Sequence, residues 1–287
     1  MPRIAYVNGR YVPHRDAVVH VEDRGYQFAD GVYEVCEVAR GFIIDISRHL
    51  DRLDRSLHEL VMAWPMRRLA LEVVMREVVR RNGIVNGMVY LQVTRGVAPR
   101  DHVFPHPMVR PSLVITARRT DPAAATARAE KGIAVITVPE NRWERVDIKT
   151  IGLLPNVMAR QAAREAGAAE AWFVDEDGLV TEGAATNAWI VTADGILVTR
   201  PAEFGILRGV TRTTVFDVAA SLGLAIEERP FSVEEAMNAR EAFITAATTL
   251  VMPVVRIDER TVANGAPGGI ALSLRKAFFD IAEKTMV

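Results

Sequence analysis

A chain of 287 residues, 49% hydrophobic and 25% charged, can bury sizeable cores and suits about two domains. Its 35 basic and 36 acidic residues nearly cancel, to a net charge of -1, which excludes a global field drawing in nucleic acid or an anionic membrane. The single cysteine, Cys36, excludes an intramolecular disulfide and a multi-cysteine zinc site. No metal is expected. The N-terminal segment lacks the apolar stretch of a signal peptide, and no run nears the ~18 residues of a membrane span, so a cytoplasmic protein without membrane contact is expected.

The predicted elements begin with a hairpin. Residues 4–7 and 10–12 flank Asn8-Gly9, a pair that tolerates the positive φ angles of a type I′ turn. A second hairpin spans 32–46, turning at Arg40-Gly41. Ser47 is the expected N-cap of a helix carrying Leu50, Leu53, Leu57, Leu60 and Val61 at helical spacing. A further helix runs from Leu69 to Arg81, with Gly83 beyond its end, and strands follow over 88–94 and 112–117. Asp121-Pro122 and the Ala-Ala-Ala-Thr after it, small and proline-started, read as a linker. Beyond it, strands are predicted over 133–138, 171–174, 188–191 and 196–198, and helices over 155–166, 210–222, 233–238 and 270–284. Pro155 suits a first helical turn and Gly167 a helix stop. The sum is an α+β chain: a smaller N-terminal α/β domain over 1–120, a linker over 121–127, and a larger C-terminal domain over 128–287.

Several segments carry candidate chemistry. Lys149 lies in a short extended stretch, three residues before Gly152 and just ahead of a helix. A loop lysine is ordinarily a surface side chain; the sharper reading is a Schiff-base lysine, whose amine must be near-neutral to attack an aldehyde. Glu182 is followed by Gly183-Ala184-Ala185 and then a strand. It reads either as a solvated turn acid or as a carboxylate beside a platform flat enough for a ring, pairing with the ring's protonated nitrogen. Leu207-Arg208-Gly209-Val210-Thr211 opens a helix whose free first-turn amides suit a phosphate, or it is ordinary glycine-started helix entry. The Thr245–Thr249 turn, with Thr248, offers hydroxyls and amides to oxygens, or is simply polar. His49 and Arg52, at i and i+3, project together as a positive partner for that phosphate or as a solvated basic face.

The segment Arg95-Gly-Val-Ala-Pro99-Arg100-Asp101-His102-Val-Phe-Pro105 bears on the substrate. Its prolines disfavour helix, so the chain between them is expected to be extended. Arg100 and His102 then share a face, roughly 6.6 Å apart at ~3.3 Å per residue, and embrace a carboxylate from two sides. An exposed basic loop is the alternative.

The order of these pieces resembles the fold-type IV pyridoxal-phosphate (PLP) aminotransferases, and within them the D-amino-acid aminotransferase branch. The stretches that carry the resemblance begin with Asp30-Gly-Val-Tyr-Glu-Val, His49-Leu-Asp-Arg52 and the Val93–Pro105 run. Asp147-Ile-Lys-Thr, Val180-Thr-Glu-Gly and Arg208-Gly-Val-Thr-Arg complete it. The Arg100-x-His102-Val-Phe-Pro run marks that branch against the branched-chain and lyase relatives. The resemblance implies that Lys149 forms the internal aldimine with PLP and shuttles the substrate proton. It implies that Glu182 keeps the pyridine nitrogen protonated and that Leu207 packs on the ring. Arg52, Gly209, Val210, Thr211 and Thr248 would bind the phosphate. Tyr33, Arg100 and His102 would form the carboxylate trap, with the tyrosine from one subunit and the other two from its partner, which implies a homodimer.

The implied reaction is ping-pong transamination, with D-alanine and 2-oxoglutarate giving pyruvate and D-glutamate. The rival readings are a branched-chain L-amino-acid aminotransferase, an (R)-amine aminotransferase, an aminodeoxychorismate lyase, and a non-catalytic PLP-binding protein. The Arg100 and His102 pair argues against the first three, and retention of Lys149 and Glu182 argues against the last. Two departures from the family pattern stand out. Ala246 and Ala247 replace hydroxyl residues, and Gly183-Ala184-Ala185 is less polar than the common serine-rich version. Each lost hydrogen bond to the phosphate network is worth ~1 kcal/mol.

Overall fold

Asn8 and Gly9 take φ of 45° and 99°, as a type I′ turn requires, and join strands β1 (Ile4–Val7) and β2 (Arg10–Pro13) in antiparallel register. Arg40 (φ 53°) and Gly41 (φ 82°) do the same between β3 (Gly31–Ala39) and β4 (Phe42–Ile44). This computed structural model describes residues 3–203 and 205–287, and the chain divides into two compact units.

The first unit holds the chain up to Asp121, together with Ile148–Gly152 and Glu283–Val287. Its helices are α1 (Arg24–Phe28), α2 (Ile46–Glu59) and α3 (Arg68–Arg81), and its remaining long strands are β5 (Gly87–Thr94) and β6 (Ser112–Arg119). The sheet runs in the order C-terminal strand Lys284–Met286, β4, β3, β5, β6, β1, β2. Alternation along β3 turns Val32, Glu34, Cys36 and Val38 to one buried face. Leu50, Leu53 and Leu57 of α2 and Leu71, Met75, Val78 and Val79 of α3 pack into the same core. Each buried Leu or Val stabilises by roughly 1.5–3 kcal/mol. Glu34 therefore sits at a core position by strand period, and its charge must be matched inside.

Three expectations change in this unit. Asp45, in the left-handed region at φ 52°, occupies the N-cap position of α2, while the Ser47 hydroxyl donates to Glu283 Oε1 at 2.8 Å. Leu60 and Val61 lie past the end of α2, and Val61 is exposed. The segment between Pro99 and Pro105 forms bends, with no strand from 98 to 111, because its prolines interrupt the ladder after β5.

The second unit holds Pro122–Asp147 and Leu153–Ala282. The stretch expected as a linker is helical: α4 covers Pro122–Lys131, with proline in the first turn and alanines, the best helix formers, after it. Its strands are β7 (Ile133–Pro139), β8 (Glu170–Val174), β9 (Val180–Gly183), β10 (Asn187–Val191), β11 (Leu197–Thr199), β12 (Ile226–Glu228), β13 (Glu241–Ala246), β14 (Leu250–Ile257) and β15 (Arg260–Thr261). They form a mixed sheet in the order β12, β11, β10, β13, β14, β7, β8, β9, with β15 on β14. The helices are α5 (Leu154–Glu165), α6 (Val210–Ser221), α7 (Val233–Met237) and α8 (Gly269–Ile281). Helix α8 ends before Lys284, which lies in the C-terminal strand of the first unit's sheet. The segment with Glu182 is strand β9, not a turn, and Glu241–Ala246 is a strand absent from the sequence expectation.

Candidate active site

In the first unit, Lys149 is brought there by the returning segment 148–152, where Thr150 bridges Val32 of β3. The sequence alone assigns this lysine to the C-terminal domain, and the return of the chain moves it. Tyr33 N donates to Lys149 O at 3.0 Å, and Lys149 Nζ stands 4.3 Å from the centroid of the Tyr33 ring. Tyr33 in turn lies 5.6 Å from the Tyr90 ring. Burial, with Tyr33 alongside, pushes the Tyr90 hydroxyl up to about 12. All four lysines of the chain are described, and Lys149 alone is half-buried while Lys131, Lys276 and Lys284 are exposed.

Beneath the ladder, Glu34 is gripped by two residues of α2. Arg52 Nε and Nη2 donate to its two oxygens at 2.7 Å each, a bidentate pair, and His49 Nδ1 lies 2.7 Å from Oε2. Burial opposes the Glu34 charge. The Arg52 charge and hydrogen bonds, with those of His49, outweigh it and hold the carboxyl at about 2. Burial lowers the His49 pKa despite the neighbouring carboxylate. The sequence points Arg52 and His49 toward a phosphate; the structure gives both a buried carboxylate partner. Glu34 could have been found from strand alternation, which places an acid among core positions.

Arg100 and His102 are exposed and gather on Phe28: the Arg100 guanidinium carbon lies 4.5 Å, and the His102 ring 5.5 Å, from its ring centroid. Tyr33 belongs to a different group, with Lys149 and Tyr90.

In the second unit, Glu182 is 5% exposed on β9. Its Oε1 accepts from Arg142 Nη1 at 2.6 Å, and its Oε2 from Asn187 Nδ2 at 3.0 Å and Leu207 N at 3.1 Å. Arg142 is itself anchored by Glu140 through Nε and Nη2. Burial works against the Arg142 charge, but its bonds to Glu140 and the charges of Glu182 and Glu140 raise its pKa. Asn187 Nδ2 also donates to Leu207 O at 2.9 Å, so Leu207 is held at both backbone ends. Arg142 and Asn187 are absent from the sequence-based candidates. Asn187 had a signal, a polar residue opening an otherwise apolar strand; Arg142, in an irregular stretch, had none.

Gly209 is the N-cap of α6, and a Cβ there would meet Asn187 Oδ1 at 2.0 Å, so any side chain there requires Asn187 to shift. Val210 and Thr211 form the first turn, with Thr211 buried. Asn187 pairs with Thr245 in the β10–β13 ladder, which puts the start of α6 and the β13–β14 turn at one end of the sheet. Thr245 itself is committed, accepting from Trp189 Nε1 at 3.0 Å. Thr248 is exposed at the tip, and the buried Thr249 hydroxyl has no hydrogen-bond partner. A buried orphan hydroxyl in the β13–β14 turn and the first-turn amides of α6, at one end of the sheet, are the kinds of donor that fit a phosphate. Among the described residues no His, Cys, Asp and Glu cluster as a metal site requires, and no helix is long and apolar enough to cross a membrane.

The family model for amino-transferase class IV matches residues 31–257. A D-alanine aminotransferase of Bacillus licheniformis is 38% identical, covering 94% of this chain and 94% of its own length. One from Staphylococcus epidermidis strain RP62A is 36% identical, covering 95% of each. Among solved structures, a T.th. branched-chain amino acid aminotransferase with pyridoxamine 5′-phosphate superposes at TM-score 0.89 and 28% identity, over 98% of this chain and 94% of that one. The Escherichia coli branched-chain enzyme, at TM-score 0.88 and 23% identity over 98% and 94%, shares the fold. The matched span takes in Tyr33, Lys149, Glu182 and the start of α6, and the chain belongs to the class IV aminotransferases.

Proposed function

We propose that this chain is a D-amino-acid aminotransferase that uses D-alanine as donor and 2-oxoglutarate as acceptor. The observation that carries the reading is Lys149: it is the one lysine of the chain withdrawn from solvent, and its amine lies on the Tyr33 ring. The D-alanine aminotransferases at 36–38% identity support the choice of substrate hand.

The cofactor is pyridoxal 5′-phosphate, which supplies a sink for the electron pair left when the substrate Cα loses its proton. The phosphate would be held by the amides of Gly209, Val210 and Thr211, by the Thr248 turn, and by Arg52 of the first unit. Glu182 would hold a proton at the pyridine nitrogen, kept in place by Arg142, Asn187 and the Leu207 amide; Leu207 would cover the ring. Lys149 would hold the cofactor through its aldehyde, with loss of water, and, once the substrate amine has taken its place, would carry the proton from the substrate Cα to the carbon that bore the aldehyde. Tyr33, beside Lys149, would fix the substrate carboxylate together with Arg100 and His102 contributed by the other protomer of a homodimer. That arrangement decides which hydrogen faces Lys149 and so which hand reacts. The amino donor leaves as its 2-oxo acid before the acceptor enters, a ping-pong order, in a cytoplasmic enzyme.

The fold neighbours favour a second reading, a branched-chain L-amino-acid aminotransferase. A screen of the purified, cofactor-supplied protein against paired D- and L-amino acids separates them. D-alanine turnover with 2-oxoglutarate is expected; L-valine turnover without D-alanine turnover would overturn the first reading. Borohydride treatment of the holoenzyme is expected to mark the peptide carrying Lys149, and Lys149→Ala to lose both the mark and turnover.

A further inference from the structure

A bend without strand or helix holds Arg100 and His102, and the first unit supplies what keeps it in place. Asp30 accepts from two buried arginines at once, Arg24 Nε at 2.8 Å and Arg95 Nε at 2.7 Å. Backbone bonds lace the two segments together as far as Ala98. Arg24 N donates to Gly96 O at 2.9 Å, Arg95 N to Asp30 O at 3.1 Å, and Ala98 N to Glu22 O at 3.4 Å. Past Ala98 the chain becomes irregular, and there Arg24 Nη1 donates to Asp101 O at 2.6 Å. That carbonyl lies between Arg100 and His102. Phe28, one helical turn after Arg24, has the Arg24 guanidinium carbon 4.9 Å from its ring centroid, Arg100 at 4.5 Å and the His102 ring at 5.5 Å. On the other side, Arg95 donates to Leu60 O and Val61 O and lies 3.6 Å from the Phe104 ring centroid.

We propose that Arg24 and Phe28 are positioning residues for carboxylate recognition: Arg24 pins the bend through the Asp101 carbonyl, and Phe28 provides the ring on which both recognition side chains rest. The inference rests on the reading of Arg100 and His102 given above. It requires a guanidinium at position 24, because Nε serves Asp30 while Nη1 reaches Asp101, two acceptors in different directions. A lysine keeps the charge beside Asp30, but its single ammonium does not reproduce that fork.

The test uses the holoenzyme and three variants, Arg24→Lys, Phe28→Leu and Arg100→Ala. Two quantities are read: KM and kcat for D-alanine, and the affinity for propan-2-amine, which lacks a carboxylate, from the cofactor's absorbance. Arg24→Lys, losing one charge-assisted hydrogen bond, and Phe28→Leu, losing the ring under the guanidinium, are each expected to raise KM for D-alanine about tenfold, with kcat and propan-2-amine affinity near wild type. A role confined to folding or to charge would shift both substrates together or be restored by the lysine. Wild-type KM in Arg24→Lys, with a raised KM in Arg100→Ala, overturns the positioning role and leaves the carboxylate reading standing. No effect in Arg100→Ala removes both. Should Arg24→Lys fail to fold, Phe28→Leu decides alone, and an unchanged KM there overturns the proposal.

Discussion

Replacing Glu34 by glutamine keeps the shape of the side chain but removes the charge that Arg52 and His49 face. Glu34 is fully buried and its carboxyl is held at about 2 against an ordinary value of 4.5. A shift of that size, at about 1.4 kcal/mol per pH unit, corresponds to about 3 kcal/mol of stability. The figure falls in the range for breaking a buried pair, roughly 3–5 kcal/mol, because the Arg52 charge would be left uncompensated. The sign follows from the direction of the shift. The folded pKa is depressed, so the contribution is complete above about 4.5 and is lost as pH falls toward about 2. His49, its pKa lowered chiefly by burial, adds to acid destabilisation, since protonating it in place is unfavourable. Glu34→Gln is therefore expected to melt roughly 6–12 °C below wild type at pH 7, taking about 2–4 °C per kcal/mol. Calorimetric melts of both proteins from pH 7 to pH 3 should show the gap narrowing below pH 4.5. A gap that is absent at pH 7, or constant down to pH 3, would refute the assignment of a charged Glu34.

Two further substitutions probe the second unit. Gly209→Ala puts a methyl 2.0 Å from Asn187 Oδ1, so it should destabilise by roughly 1–3 kcal/mol in chemical denaturation and weaken cofactor retention in dialysis. A wild-type denaturation midpoint would show that Asn187 can step aside. Thr249→Val removes a buried hydroxyl that has no partner, so the protein freed of cofactor should be as stable or up to about 1 kcal/mol more stable. Its affinity for pyridoxal phosphate should nonetheless fall several-fold by equilibrium titration, and an unchanged affinity would remove Thr249 from the phosphate site.

What was legible in the sequence follows from how local each signal is. The two hairpin turns needed only the positive φ of Asn8-Gly9 and Arg40-Gly41, and the α2 and α3 cores needed only helical spacing of leucine and valine. Residues 122–131 misled because proline and alanines signal both a linker and a helix start, and only packing decides; Ala129 is fully buried. Lys149 was visible as chemistry but not as part of the first unit, since the bridge of its neighbour Thr150 to Val32 spans more than a hundred residues. The partners of known candidates were the least legible. Arg142 reaches Glu182 across 40 residues from a stretch with no periodicity, and Arg24 reaches Asp101 across 77. Side-chain contacts of that range leave no trace in spacing.

The division of labour among the cations explains why one lysine stands apart. Of 35 basic residues only four are lysines, and the buried and half-buried carboxylates named above are held chiefly by arginines: Arg52, with His49, on Glu34, Arg24 and Arg95 on Asp30, Arg142 on Glu140 and Glu182. A guanidinium stays charged at any relevant pH and offers a fixed fork, so it holds a carboxylate ionised and correctly turned without itself taking part in proton transfer. An amine can lose its proton and attack a carbonyl carbon, so on the proposed function a second lysine near these carboxylates would compete with Lys149 for the same aldehyde. With arginine in these pairs, Lys149 is the one half-buried lysine of the chain. On the proposed function, the scarcity of lysine is thus a physical condition for selectivity at Lys149, whose amine lies 4.3 Å from the Tyr33 ring centroid.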